Sequence, residues 1–121
     1  MGQYFKVVNT TKKEYINPHK MDNGLKFLEF YNGIVPQALC YLLHSSDAAS
    51  SEYCGEAWEN LGRWAGDTIV ITGDYDLPGK NIPEEDKDPD DADQTLYEVA
   101  SNSYKEIGAE ILDEVRRFSG L

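Results

Sequence analysis

The chain opens on Gln3-Tyr4-Phe5-Lys6-Val7-Val8, rich in aromatic and β-branched residues, and runs into Asn9-Thr10-Thr11. Such a run predicts a strand over residues 3–9 entering a turn. Glu14-Tyr15-Ile16-Asn17, closed by Pro18, reads as the returning arm of a hairpin over residues 13–17. Asp22-Asn23-Gly24 signals a turn, and residues 25–30, Leu-Lys-Phe-Leu-Glu-Phe, read as a third strand. The period then changes. Pro36 suits the first turn of a helix, where its missing N–H is no loss, and Leu39, Leu42 and Leu43 give residues 36–45 an apolar side. Over 52–64, Cys54, Ala57, Trp58, Leu61 and Ala65 recur at helical spacing, opposed by Glu52, Glu56, Glu59, Asn60 and Arg63. Asp67-Thr68-Ile69-Val70-Ile71-Thr72 is apolar on both faces, the mark of a central strand over 67–73, and Gly73-Asp74-Tyr75-Asp76 ends it.

Leu96, Val99, Ala100, Ile107, Ile111, Val115 and Phe118 mark one face of a helix over 94–118. Asp91 and Gln94 stand at capping-box spacing before it, and Arg116, Arg117 and Gly120 suit its close. At 1.5 Å per residue it reaches about 37 Å unless Gly108 kinks it. The pattern as a whole predicts an α+β fold: a small, mostly antiparallel sheet of about four strands, about three helices packed on one side of it, and a long C-terminal helix.

Between the last strand and that helix, residues 77–93 hold Pro78, Gly79, Pro83, Pro89 and seven carboxylates, with almost nothing apolar. A flexible acidic surface loop is expected. It changes the electrostatic picture. The 121 residues carry a net charge of −11, yet residues 1–26 hold five lysines against two acids, a net of +3, which leaves −14 for the rest. Without a basic stripe, direct nucleic-acid binding and attachment to anionic membranes are not expected. No apolar run approaches the ~20 residues that cross a bilayer. Two cysteines, Cys40 and Cys54, are too few for a disulfide scaffold and point to a reducing compartment. The expectation is one globular domain over 1–121, located in the cytoplasm.

Motifs with readable chemistry are missing: there is no nucleotide-binding loop, no HExxH, no GxSxG and no CxxC, and no cofactor is expected. Cys40 and His44, four apart on a predicted helix, share a face and with Cys54 and His19 would make a Cys₂His₂ zinc set. The simpler reading is a packed Cys40 and a surface His44. Cys54 with a histidine base would be a thiol enzyme, set against an inert buried cysteine. Asp86-x-Asp88-x-Asp90 copies the first ligand positions of a calcium loop, but Asp91 stands where that loop needs Gly and Tyr97 where it needs Glu. What remains is loose divalent-cation binding at Asp86, Asp88 and Asp90, against a solvated charge run. Trp64, Asp67, Asp74 and Tyr75 flank the strand over 67–73, each end offering a carboxylate beside an aromatic wall. The two aspartates stand about 20 Å apart if the strand is extended, too far for one acid/base pair. They read as binding-pocket candidates or simply as turns that start and stop a strand.

Met1-Gly2-Gln3-Tyr4-Phe5-Lys6-Val7-Val8-Asn9, Pro18-His19, Asn23-Gly24-Leu25-Lys26, Trp64-Ala65-Gly66-Asp67, Gly73-Asp74-Tyr75 and Leu96-Tyr97 together resemble a group of small microbial proteins. That group shares a Met-Gly-Gln-Tyr opening and a Trp-x-Gly-Asp, strand, Gly-Asp-Tyr block. The pieces cover about half of the chain, and the acidic loop and residues 45–62 have no counterpart. The resemblance implies one small stand-alone domain and lends no activity.

For function, the expectation is a non-enzymatic interaction or binding protein with a protein or small-molecule partner, self-association included, through its aromatic and acidic surface. One alternative is a small hydrolase or transferase with His19 as base beside Asp67 or Asp74. Another is an acidic mimic of nucleic acid that occupies a basic groove.

Overall fold

The computed structural model describes residues 4–21, 24, 32–45 and 58–120. Strands β1 (Phe5–Asn9), β2 (Glu14–Ile16), β3 (Ile69–Gly73) and β4 (Lys105–Glu106) form one mixed sheet in the order β3-β1-β2-β4. β1 pairs antiparallel with β2 and β3, and β4 joins β2 in parallel. Helices α1 (Val35–Leu42), α2 (Leu96–Ser103) and α3 (Gly108–Ser119) complete an α+β fold, as the hydrophobic pattern predicts. Among the described residues no helix is long and apolar enough to cross a membrane.

Which strand is central differs from expectation. β1 lies inside the sheet with Lys6, Val7, Val8 and Asn9 all buried, while β3 is an edge and leaves Ile71 exposed. A two-faced apolar run is compatible with either place, because burial of both faces depends on the layers above and below and not on the strand alone. The fourth strand is β4; residues 25–30 lie outside the described residues.

The helices cover both faces of the sheet instead of one. Alternation along β1 sends Val7 to one side and Val8 to the other. Val7 and Ile16 pack with Ala38, Tyr41 and Leu42 of α1, Ile111 and Val115 of α3, and Trp64. Val8 and Tyr15 pack with Leu96, Val99 and Ala100 of α2, Tyr104 and Ile82.

The apolar stripe expected on one helix over 94–118 is therefore divided. Leu96 to Tyr104 serves one core and Ile107 to Val115 the other, with the two-residue β4 between them. Thr95 caps α2, its hydroxyl accepting the N–H of Glu98, one turn later than the Asp91/Gln94 spacing suggests. Lys105 N–H then donates to the Lys13 carbonyl and Ile107 N–H to that of Tyr15, which draws the chain into the sheet. Glu106 Oε2 accepts the N–H groups of Asn17 (2.9 Å) and Gly108 (2.7 Å), so it caps α3 and ties it to the end of β2. A Cβ at position 108 would stand 2.6 Å from that oxygen, the reason for a glycine there. The separate C-terminal helix is the 12 residues of α3.

Of the helix expected over 52–64, residues 58–64 are described, and they form turns continuing to residue 66. Gly62 and Gly66 sit at φ +75° and +84°, where helix cannot continue. The N–H groups of Gly62 and Trp64 reach the carbonyls of Tyr41 and Leu42, satisfying the end of α1. The acidic segment 77–93 is joined to the body by Ile82, buried in the α2 core, and by Asp86, which accepts from Lys13 Nζ and Tyr104 Oη, both at 2.6 Å.

Candidate functional site

Asp67 and Asp74 lie beyond the two ends of β3, and each does structural work. Asp67 accepts from Asn9 Nδ2 at 2.9 Å and from Lys12 Nζ, which hold its carboxyl below the usual range and pin the β1–β2 turn to the start of β3. Asp74 exchanges two hydrogen bonds with the backbone of Tyr4, its N–H to the Tyr4 carbonyl and its carboxylate to the Tyr4 N–H, both at 3.0 Å. Trp64 is wholly buried, and its indole N–H donates to Glu14 at 2.8 Å, so it forms core instead of a surface wall beside Asp67. His19 sits exposed on the 3₁₀ turn Pro18–Met21; among the described residues no hydrogen bond or ion pair joins its ring to a carboxylate. Asp67 and Asp74 are not brought together, and His19 joins neither among the described residues.

The acidic candidates are dispersed. Asp86 is turned to Lys13 and Tyr104, and Asp88 accepts the N–H of Asp90. Among the described residues no group of three or more His, Cys, Asp or Glu could hold a metal ion. Cys54 lies outside them. The basic amino-terminal charges meet acids of their own chain: Lys12 pairs with Asp67, and Lys13 with Glu85 and Asp86.

Lys6 was not singled out by sequence, because an amine in a strand ordinarily points to water. Here it is buried, donating to the Ser101 hydroxyl with its ammonium 4.0 Å from the Tyr97 ring centre and 5.4 Å from that of Tyr15. Burial lowers its pKa against the pull of Asp74 and Glu106. Ser101 also donates to the Tyr97 carbonyl at 2.9 Å, and neither cleft described below is lined by Lys6 or Ser101. The pair closes the α2 side of the sheet.

The tyrosines around these cores give a pH dependence. Burial raises the phenols of Tyr15, Tyr41, Tyr97 and Tyr104, helped at Tyr41 by Glu114 and at Tyr104 by Asp86, with Tyr104 pushed up to about 12. In the unfolded chain they ionise near pH 10. The neutral form is therefore favoured by folding, and stability is lost as pH climbs from the unfolded value through the folded ones. The unfolding free energy, and with it the urea midpoint, is expected to fall above pH 10, by at most about 1.4 kcal/mol per pH unit for each such tyrosine, and less steeply in Tyr41→Phe. Lys6, lowered in the folded state, acts in the opposite sense below pH 10.5. A flat profile from pH 9 to 11.5 would contradict this.

Surface exposure singles out a different region. The exposed large apolar residues among those described are Tyr4 (42%), Leu43 (42%), Ile71 (47%), Tyr75 (66%) and Leu77 (68%). All but Leu43 belong to β3, the turn after it and the paired start of β1. Ile71, Tyr75 and Leu77 join Asp76, Lys80 and Asn81 around a concavity of about 400 Å³. β3 also lacks the features that protect an edge: it is five residues without proline or charge, whereas the opposite edge, β4, is two residues with Lys105 and Glu106. Sequence missed Ile71 because an apolar strand reads as interior, and Leu77 because it opens a segment that reads as a polar surface loop.

A second cleft, of about 360 Å³, lies between α1 and α3, lined by Gln37, Cys40, Tyr41, His44, Phe118 and Ser119. The Cys40 thiol is exposed, and His44 Nδ1 is buried without a partner among the described residues. Cys40 and His44 do share this cleft, as their spacing predicts, without further metal ligands among the described residues.

No family model, curated protein or solved structure matches the chain.

Proposed function

We propose that this chain is a non-catalytic protein-binding module, and that it docks its partner along β3 and over Ile71, Tyr75 and Leu77. The supporting observation is the coincidence of a sheet edge unprotected among the described residues with three exposed large apolar residues, Ile71, Tyr75 and Leu77, around one concavity. Monomeric proteins rarely keep such an edge and such a patch together unless something covers them. Tyrosine and aliphatic anchors beside polar Asp76, Lys80 and Asn81 have the make-up of an interface centre and its rim. The alternative with His19 as base lacks support, since His19 has no carboxylate partner among the described residues. An exposed Cys40 thiol fits a reducing compartment, and we place the protein in the cytoplasm.

The test compares proteins retained from the native cell by the wild type and by Ile71→Lys and Leu77→Ser, each first shown to unfold at the wild-type midpoint. Both positions are exposed, so stability should change by no more than about 0.5 kcal/mol. Loss of specific partners by both variants is expected. Retention of the same partners would move the interface elsewhere.

A further inference from the structure

The bonding pattern of β3 restricts what can dock there. Thr10 N–H donates to the Thr68 carbonyl and Asp74 N–H to that of Tyr4. Hydrogen-bonded and open positions alternate in an antiparallel pair, so residues 68, 70, 72 and 74 turn their backbone groups to β1. Residues 67, 69, 71 and 73 turn theirs outward. Of these, Asp67 N–H is committed to the Trp64 carbonyl at 3.1 Å. At the other end Asp76 closes Gly73 from both sides, its carboxylate accepting the Gly73 N–H and its own N–H donating to the Gly73 carbonyl, each at 3.1 Å. Among the described residues the open window is Ile69 and Ile71.

Resting on the docking reading above, we infer that the partner is a short extended segment of another protein, with apolar residues two apart flanked by basic ones. A helix or a flat apolar surface laid over Ile71, Tyr75 and Leu77 would strip water from the outward N–H and C=O groups of Ile69 and Ile71 and leave them unbonded. An antiparallel strand satisfies all four with two residues spaced i, i+2, and both of those side chains fall on the face of Ile71. The closed ends limit the match to this short stretch, so specificity comes from the side chains over Tyr75 and Leu77. Charge sets their flanks. Asp74 and Asp76 stand after the window, on a chain of net charge −11, whereas Asp67 before it is already paired with Lys12. A second copy would set Ile69 against Ile71 in antiparallel pairing, and protection that grows with protein concentration is its signature.

Amide hydrogen exchange of the full chain, with and without synthetic peptides, tests this. The probes are an alternating Lys/Val peptide, an alternating Glu/Val peptide and a helical Ala/Lys peptide. The amides of Ile69 and Ile71 should exchange readily in the unbound monomer and slow by on the order of tenfold or more with Lys/Val, while those of Asp67 and Gly73 stay as they were. The protection should weaken as salt rises from about 0.05 to about 0.5 M, and the Ala/Lys helix should give none. Ile71→Pro removes the outward N–H without touching the bonds to β1 and should abolish the protection of Ile69; Ile71→Lys serves if the proline variant does not fold. Equal protection by Glu/Val would overturn the basic partner and leave edge docking standing. Protection that already exists in the unbound monomer, that grows with protein concentration, or that no strand peptide produces would overturn this inference, and the first and last would remove the docking reading as well.

Discussion

Glu14→Ala is expected to lower the unfolding free energy by about 3–5 kcal/mol, the usual cost of removing one partner of a buried charged pair. Glu14 lies on β2 with only 8% of its surface exposed, and it takes hydrogen bonds from the Arg63 guanidinium and from the Trp64 indole at 2.8 Å. Arg63 in turn holds Glu110 of α3 at 2.6 Å, so one carboxylate links the sheet, the 58–66 turns and the last helix. Alanine would leave a buried indole N–H unpaired and a largely buried guanidinium without its main partner. Against a total of roughly 5–15 kcal/mol for a domain, that is a large share, seen as a fall of roughly 10–20 °C in Tm for a chain of this size. Glu14→Gln keeps an acceptor for Trp64 and should cost about 1–2 kcal/mol. Were Glu14→Ala to unfold at the wild-type urea midpoint, this network would not be holding the layers together.

Trp64→Ala should cost a similar amount, about 3–5 kcal/mol, by opening a cavity in the core formed with α1 and α3. The side chain is wholly buried, the largest of the fully buried residues described. Because Trp64 and Glu14 share a hydrogen bond, the two losses should not add. The double variant should be more stable than the sum of the single changes predicts by about 0.5 kcal/mol or more, and Trp64→Phe should lose mainly the N–H contact. Denaturant curves on the four proteins give the coupling directly. Unchanged stability in Trp64→Ala, with altered ligand binding, would return Trp64 to the surface role its position in sequence suggests.

Local chemistry was readable wherever neighbours along the chain decide it. The β1–β2 hairpin, the proline-led α1 and the strand running into Gly73 follow from residue type and period, and so does the α+β class. Candidate sites were less readable. Asp67 and Asp74 look like chemistry in a sequence because carboxylates beside glycines and aromatics are common in sites, yet both are bound to β1 and its turn. Lys6 looks like a solvated charge and is buried under Tyr97 and Tyr15. The exposed patch was hidden for the opposite reason, since Ile71 and Leu77 carry no chemistry that a motif could mark.

The sequence by itself determined the periods, the turns and the charge imbalance, because each depends on a few consecutive side chains and their preferred backbone angles. Tertiary structure alone decided which strand became an edge and where the last apolar stripe was cut. The spacing from Leu96 to Ile107 continues a helical repeat without interruption, so apart from Gly108, where α3 begins, no local signal marks the break. Only the sheet, with apolar residues on both faces of β1, requires one half of the stripe on each side, and the hydrogen bonds from Lys105 and Ile107 to β2 and its turn hold the chain across the gap.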